Sequence, residues 1–139
     1  DMADLALSRG SNVEVKKLAS RIKAAQAPEI TEMTGWLTSW GQPSVMPSSG
    51  PSMAGMDMSG DSVPGMMSDA DMRVLGSATG TSFDRQFLTM MVSHHQGAIT
   101  MAKSEQSAGR YGPAKSLAGN IITSQSAEIT EMQGLLKTV

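Results

Sequence analysis

Apolar residues recur at intervals of three and four along most of the chain, the spacing that lines one face of an α-helix. Phe83, Phe87, Met90, Met91, His94, Ala98 and Met101 follow this rule in one segment. Leu117, Ile121, Ile122, Gln125, Ile129, Met132 and Leu136 follow it in a second, and Val15, Leu18, Ile22, Gln26, Ile30, Met33 and Leu37 in a third. No stretch alternates with the period of two that a half-buried strand requires, so the pattern predicts an all-α protein. Thr81 or Ser82 is placed to cap a helix opening at Phe83-Asp84, with Asp84 in the first turn where the helix dipole favours an anion. Gly109 and the Gly112-Pro113 pair predict the end of that helix and the start of the next. Pro28 falls inside the third series and is expected to kink its helix or force a local adjustment. Ser68, followed by Asp69 and Asp71, predicts a short helix over 68–76.

The series are related to one another. A shift of about 99 positions aligns the first ~37 residues with the end of the chain. Gly10 falls on Gly109, Leu18-Ala19 on Leu117-Ala118, Gln26 on Gln125, and Glu29-Ile30-Thr31-Glu32-Met33 on Glu128-Ile129-Thr130-Glu131-Met132. Such agreement predicts a duplicated helical hairpin, and two hairpins predict a four-helix bundle in a single domain, 1–139. Repeat one covers 1–40 and repeat two 81–139. Residue 1 aligns with Thr100, so the leading helix of repeat one is expected to be truncated. Either a second copy, as in a homodimer, covers the face this leaves open, or the protein extends further towards its N-terminus.

Residues 41–67 are different in kind, dominated by Gly, Pro, Ser and Met. A segment of that composition buries too little apolar surface to offset its ordering entropy, and a flexible crossover between the hairpins is expected.

Composition narrows the function. A net charge of −2 offers no basic face to nucleic acid, and aromatic residues at 4% offer no base-stacking platform. No apolar run approaches the roughly 18 residues that span a bilayer, so no membrane insertion is expected. Cysteine is absent, which removes disulfides, thiolate nucleophiles and iron–sulfur chemistry. Methionine is the outlier at 13 residues, against two Phe and one Tyr. Helical cores use Met as an adaptable filler, which accounts for Met33, Met91, Met101 and Met132. It does not account for Met46, Met53, Met56, Met58, Met66 and Met67, which stand among Pro, Gly and Ser.

His94 and His95 are the only histidines. Helix neighbours point about 100° apart, so adjacent histidines do not readily chelate one ion by themselves. Each has a methionine one turn earlier, Met90 for His94 and Met91 for His95, and Met101 follows His94 by two turns. Gly97 and Ala98 keep the next turn small, leaving space for a ligand or a closely packed element. Thioether donors favour Cu(I), and imidazole accepts copper in either oxidation state; zinc sites rarely use Met, and calcium wants carboxylates. Copper is the metal this donor set fits. Met53, Met56 and Met58 are possible further ligands from the crossover. Gln125, Glu128 and Met132 share a face of the last helix, as Gln26, Glu29 and Met33 do in the first copy. They either support a histidine through its free ring nitrogen or make an interhelical polar contact without metal. A plain core role for both histidines, with Met packing, stays open.

The run containing Phe83-Asp84, Phe87, Met90, His94-His95, Ala98 and Met101-Ala102 resembles the DUF305 family, whose pattern is F-D-x-x-F, a methionine, H-H-x-x-A and a closing M-A. The later Gln125, Glu128-Ile129 and Met132 fit the same pattern. The resemblance implies a ferritin-like bundle in an exported, extracytoplasmic bacterial protein, and for some relatives copper binding and copper resistance. Carried over by position, it implicates His94, His95, Met90, Met91 and Met101. Two departures are the missing first histidine pair and Ser93, where Pro or Arg is common.

Three functions compete. The first is an extracytoplasmic copper-binding or sequestering protein without enzymatic activity. The second is a ferritin-like di-iron enzyme, which would require four carboxylates and two Glu-x-x-His pairs; the sequence has no such pair. The third is a metal-free helical interaction module.

Overall fold

The fold rests on how each hairpin turns. In the computed structural model, which describes residues 1–43 and 64–139, α1 (Met2–Arg9) and α2 (Val13–Ser39) form one hairpin. α4 (Gly80–Ala108) and α5 (Gly112–Leu135) form the other, and α3 (Asp69–Ser77) precedes them. Gly10 and Gly109 close α1 and α4 with nearly the same backbone angles, φ −61°, ψ 148° and φ −64°, ψ 149°. In each, the glycine amide donates back to the carbonyl four residues earlier, Ala6 at 3.1 Å and Glu105 at 2.8 Å. Pro113 then sits in the first turn of α5, where its missing N–H costs nothing. Asn12 opens α2 by accepting from the amides of Glu14 and Val15. Ser68 opens α3 through a reciprocal capping box with Asp71, which agrees with the short helix expected at 68–76.

The chain is all-helical among the described residues, and α1, α2, α4 and α5 make a four-helix bundle. α1 packs on α4, α2 on α5, and α3 lies on α4. The core gathers Phe83, Phe87, Leu88 and Met91 of α4 with Val15, Leu18, Ala19 and Ile22 of α2, joined by Ala6, Leu75 and Met132. Phe83 and Phe87 stack one turn apart, with ring centroids 6.1 Å apart.

One local expectation is corrected. α4 begins at Gly80, with Thr79 as an N-cap that makes no side-chain bond, so Thr81 and Ser82 lie inside the helix rather than capping it. Asp84 is consequently beyond the first turn, and its carboxylate serves another helix. Fully buried, it accepts from the Ser11 amide (3.1 Å), the Ser11 hydroxyl (2.5 Å) and the Asn12 amide (2.9 Å). An anion there stabilises the N-terminus of α2. The approach is close, since a Cβ at Gly10 would lie 3.0 Å from Asp84 Oδ1. Pro28 lies inside α2, which runs from Val13 to Ser39.

Burial along α2 falls away halfway. Val15, Leu18, Ala19 and Ile22 are buried, whereas Ile30 is 57% exposed and Met33 39%. Contact resumes at the far end, where Trp36 and Trp40 meet the Tyr111 ring edge-on, at centroid distances of 5.4 and 5.1 Å.

Replacing Asp84 tests the link between the hairpins. Asp84→Ala leaves the Ser11 and Asn12 donors without their acceptor, and is expected to lower the unfolding free energy by about 3 kcal/mol. Asp84→Asn, which keeps one acceptor oxygen, should cost less. Urea denaturation of the two variants beside the wild type measures both.

Candidate metal centre

The histidine pair is split by the helix on which it sits. His94 and His95 have ring centroids 6.2 Å apart, their planes inclined by 59°. His95 is fully buried, directed at α5, and its Nε2–H donates to Glu128 Oε2 at 2.7 Å. Its Nδ1 has no hydrogen-bond partner among the described residues. His94 is half-buried on another face, and its Nδ1 lies 2.9 Å from the Gly65 carbonyl. A carbonyl only accepts, so Nδ1 carries the proton and the neutral ring keeps its lone pair on Nε2.

That ring borders a groove of about 530 Å³. Met2 from α1, Met66 and Met67 from the segment before α3, Met72 from α3 and Met91 from α4 line it beside His94. Five methionines and one histidine from four parts of the chain thus border one groove, Met2 and Met91 as core members and Met67 and Met72 packed against the core. Ile22 and Ile30 of α2 form the apolar wall, and the Lys23–Asp4 ion pair stands at the rim. Among the described residues no cluster of three or more His, Asp or Glu side chains is arranged to hold a metal. The groove's donors are therefore soft, of the class that takes Cu(I) and its congeners.

The residues singled out in the sequence distribute unevenly. Met91 and His94 share the groove, although the spacing had paired Met91 with His95 and Met90 with His94. Met90 packs instead against the core. Met101 is 44% exposed and borders a separate depression with Ser104, Glu105 and Gly109. Met132 is a core residue, and Gln125 is buried with its Oε1 lacking a hydrogen-bond partner among the described residues. Met46, Met53, Met56 and Met58 lie outside the described residues. Met66 and Met67 had stood out only as methionines beyond any helical series. Met2 and Met72 carried no signal, because nothing local marks which helix end a distant histidine will face.

Glu29 of α2 extends the polar cluster around His95. Burial and the neighbouring Glu128 carboxylate push its carboxyl above the ordinary glutamate range, while His95 pulls it partly back.

The family model described as Domain of unknown function (DUF305) matches residues 1–136. Among solved structures, a DUF305 protein from Streptomyces coelicolor, described as a candidate secreted protein, is 36% identical. The match covers 99% of this chain and 82% of that one, with a TM-score of 0.82. A DUF305 fragment from Deinococcus radiodurans is 32% identical over 99% of this chain and 85% of its own, with a TM-score of 0.81. CopM in its Cu(I)-bound form is 33% identical over 99% and 84%, with a TM-score of 0.76. Its Cu(II)- and Ag-bound forms match as well. No curated protein matches the chain.

Glu29 gives a pH test of the cluster. Its carboxyl holds a proton more tightly in the folded than in the unfolded chain, so its ionisation disfavours folding as pH rises through the carboxylate range. Glu29→Gln is expected to raise the melting temperature at pH 7. The gain should shrink towards zero as pH falls below that range, as followed by thermal melts between pH 3 and 7.

Proposed function

The chain belongs to the DUF305 family, and on that premise we propose that it binds copper, as Cu(I), in the methionine groove beside His94. The observation that carries this reading is the gathering of Met2, Met66, Met67, Met72 and Met91 around the groove that His94 borders, with His94 Nδ1 engaged by the Gly65 carbonyl. Four of the five also pack in or against the core, and Met66 stands exposed at the groove. Soft donors recognise a soft monovalent ion, and the silver- and copper-bound forms of CopM support the same chemistry for this chain. The ion is cargo: the protein captures it and holds or passes it on, and no bond of a substrate is made or broken.

Exposure suits that role. Met66 is 61% exposed, so one donor stands where an arriving or departing ion meets it first. His95 and Glu128 lie on the other side of α4, where their hydrogen bond seats that helix on α5 and so orients His94. We place the protein outside the cytoplasm, a reading supported by the S. coelicolor relative's description. No described helix is long and apolar enough to cross a membrane.

A metal-free interaction module is the second reading, favoured by the exposed Ile30 and Met33 on α2 and Trp40 just after it. A homodimer closing over that face belongs to it.

Competition titration against a chromophoric Cu(I) chelator, under reducing conditions, separates the two. Wild-type protein is expected to bind Cu(I) and to melt at a higher temperature when loaded. His94→Ala, and Met67→Leu with Met72→Leu, should each weaken binding by roughly tenfold or more, about 1.4 kcal/mol, with unchanged helicity. Zn(II) should compete poorly. Wild-type Cu(I) affinity in both variants would exclude the groove, and the absence of any Cu(I) binding or thermal shift would favour the interaction module.

A further inference from the structure

Gly97 sits in the middle of α4, where glycine is about 1 kcal/mol less favourable than alanine. The structure shows what occupies the space a side chain would take. A Cβ on Gly97 would fall on the Pro64 carbonyl and 2.6 Å from the Gly65 Cα. The requirement is reciprocal. Gly65 has φ +77°, a left-handed conformation that favours glycine, and a Cβ on it would lie 2.8 Å from the Ser93 carbonyl oxygen and 2.9 Å from that of His94. Two backbones therefore cross in direct contact, and only a glycine on each side permits it.

The crossing lies beside His94, the histidine that borders the groove. The Gly65 carbonyl that it brings to α4 is the acceptor for His94 Nδ1, and the next two residues are Met66 and Met67, which line the groove. Resting on the proposed Cu(I) site, we infer that Gly65 and Gly97 form a backbone clamp and act as positioning residues for it. The clamp fixes His94 in the Nδ1–H tautomer, turns the Nε2 lone pair to the metal side, and delivers two thioethers to the same place. Neither glycine touches the ion. Each acts through His94, Met66 and Met67.

Gly97→Ala tests this cleanly, because alanine strengthens an isolated helix and a loss cannot be ascribed to melting of α4. Gly65→Ala, made outside the helix, is the second variant. The readouts are Cu(I) affinity by chelator competition, helicity by circular dichroism, and the His94 tautomer by long-range proton–nitrogen NMR on apo-protein at a pH where the ring is neutral. In the wild type the Nδ1–H form is expected. In both variants the Nε2–H form should gain population, and Cu(I) affinity should fall by roughly tenfold or more with helicity retained. An unchanged His94 tautomer in both variants would overturn the clamp. A shifted tautomer with wild-type Cu(I) affinity would overturn its role in metal binding. If the wild type showed the Nδ1–H form but bound no Cu(I), the copper reading would fall, and the metal half of this inference with it, while the glycine contact stood as packing alone.

Discussion

A buried carboxylate holds the two hairpins in register. Asp84 carries a full charge into a site closed to solvent, where an unpaired anion would cost several kcal/mol. It is tolerated there because the turn after α1 aims two amides and a hydroxyl at it. The same turn holds Gly10 against the carboxylate, and its Asn12 caps α2. One side chain from the second hairpin thereby fixes where the second helix of the first hairpin begins. The axial position of Val15, Leu18 and Ile22 against Phe83 and Phe87 follows from that, and so does the wall that Ile22 gives the groove.

The adjacent histidines divide their work because a helix sends successive side chains in different directions. His95 faces inward, where Glu128 takes its Nε2 proton in a hydrogen bond and Glu29 shares the surroundings. His94 faces the gap left between α1, α2 and α3. One ring is closed off by its carboxylate partner and the other borders the groove. The sequence motif His94-His95 is thus two devices in consecutive positions rather than one chelate.

The helices were legible because their determinants are local: period, capping residues, and glycines at the turns. Ser68 and Asp71 announced α3, and Gly109 with Pro113 announced the second hairpin. The start of α4 was misplaced because Thr81 and Ser82 cap well in isolation, while burial of Phe83 and Asp84 rewards a helix that begins earlier. The abundance of methionine was legible in the sequence, but which methionines border the groove with His94 was not. His94 and Met91 belong together, but Met101, two turns on and roughly 10 Å further along the axis, lies past the end of the groove. Met2, Met67 and Met72 come to the groove that His94 borders only through tertiary packing, which no spacing rule along one segment encodes. Glu128 was visible as a candidate partner for a histidine because it recurred on one face with Gln125. Which ring it would choose depended on how α5 docks.

The groove is lined with thioethers and no thiol. A thioether has no proton to lose, so a soft ion entering among Met2, Met66, Met67, Met72 and Met91 displaces none from those donors, whereas a cysteine site must first be deprotonated. Nor can methionines cross-link when the surroundings are oxidising. Of the groove's sulfur and imidazole donors, only His94 has to remain neutral. The methionine donors are indifferent to acid, under which a cysteine pocket of the same shape would protonate, and they cannot close upon one another by a disulfide.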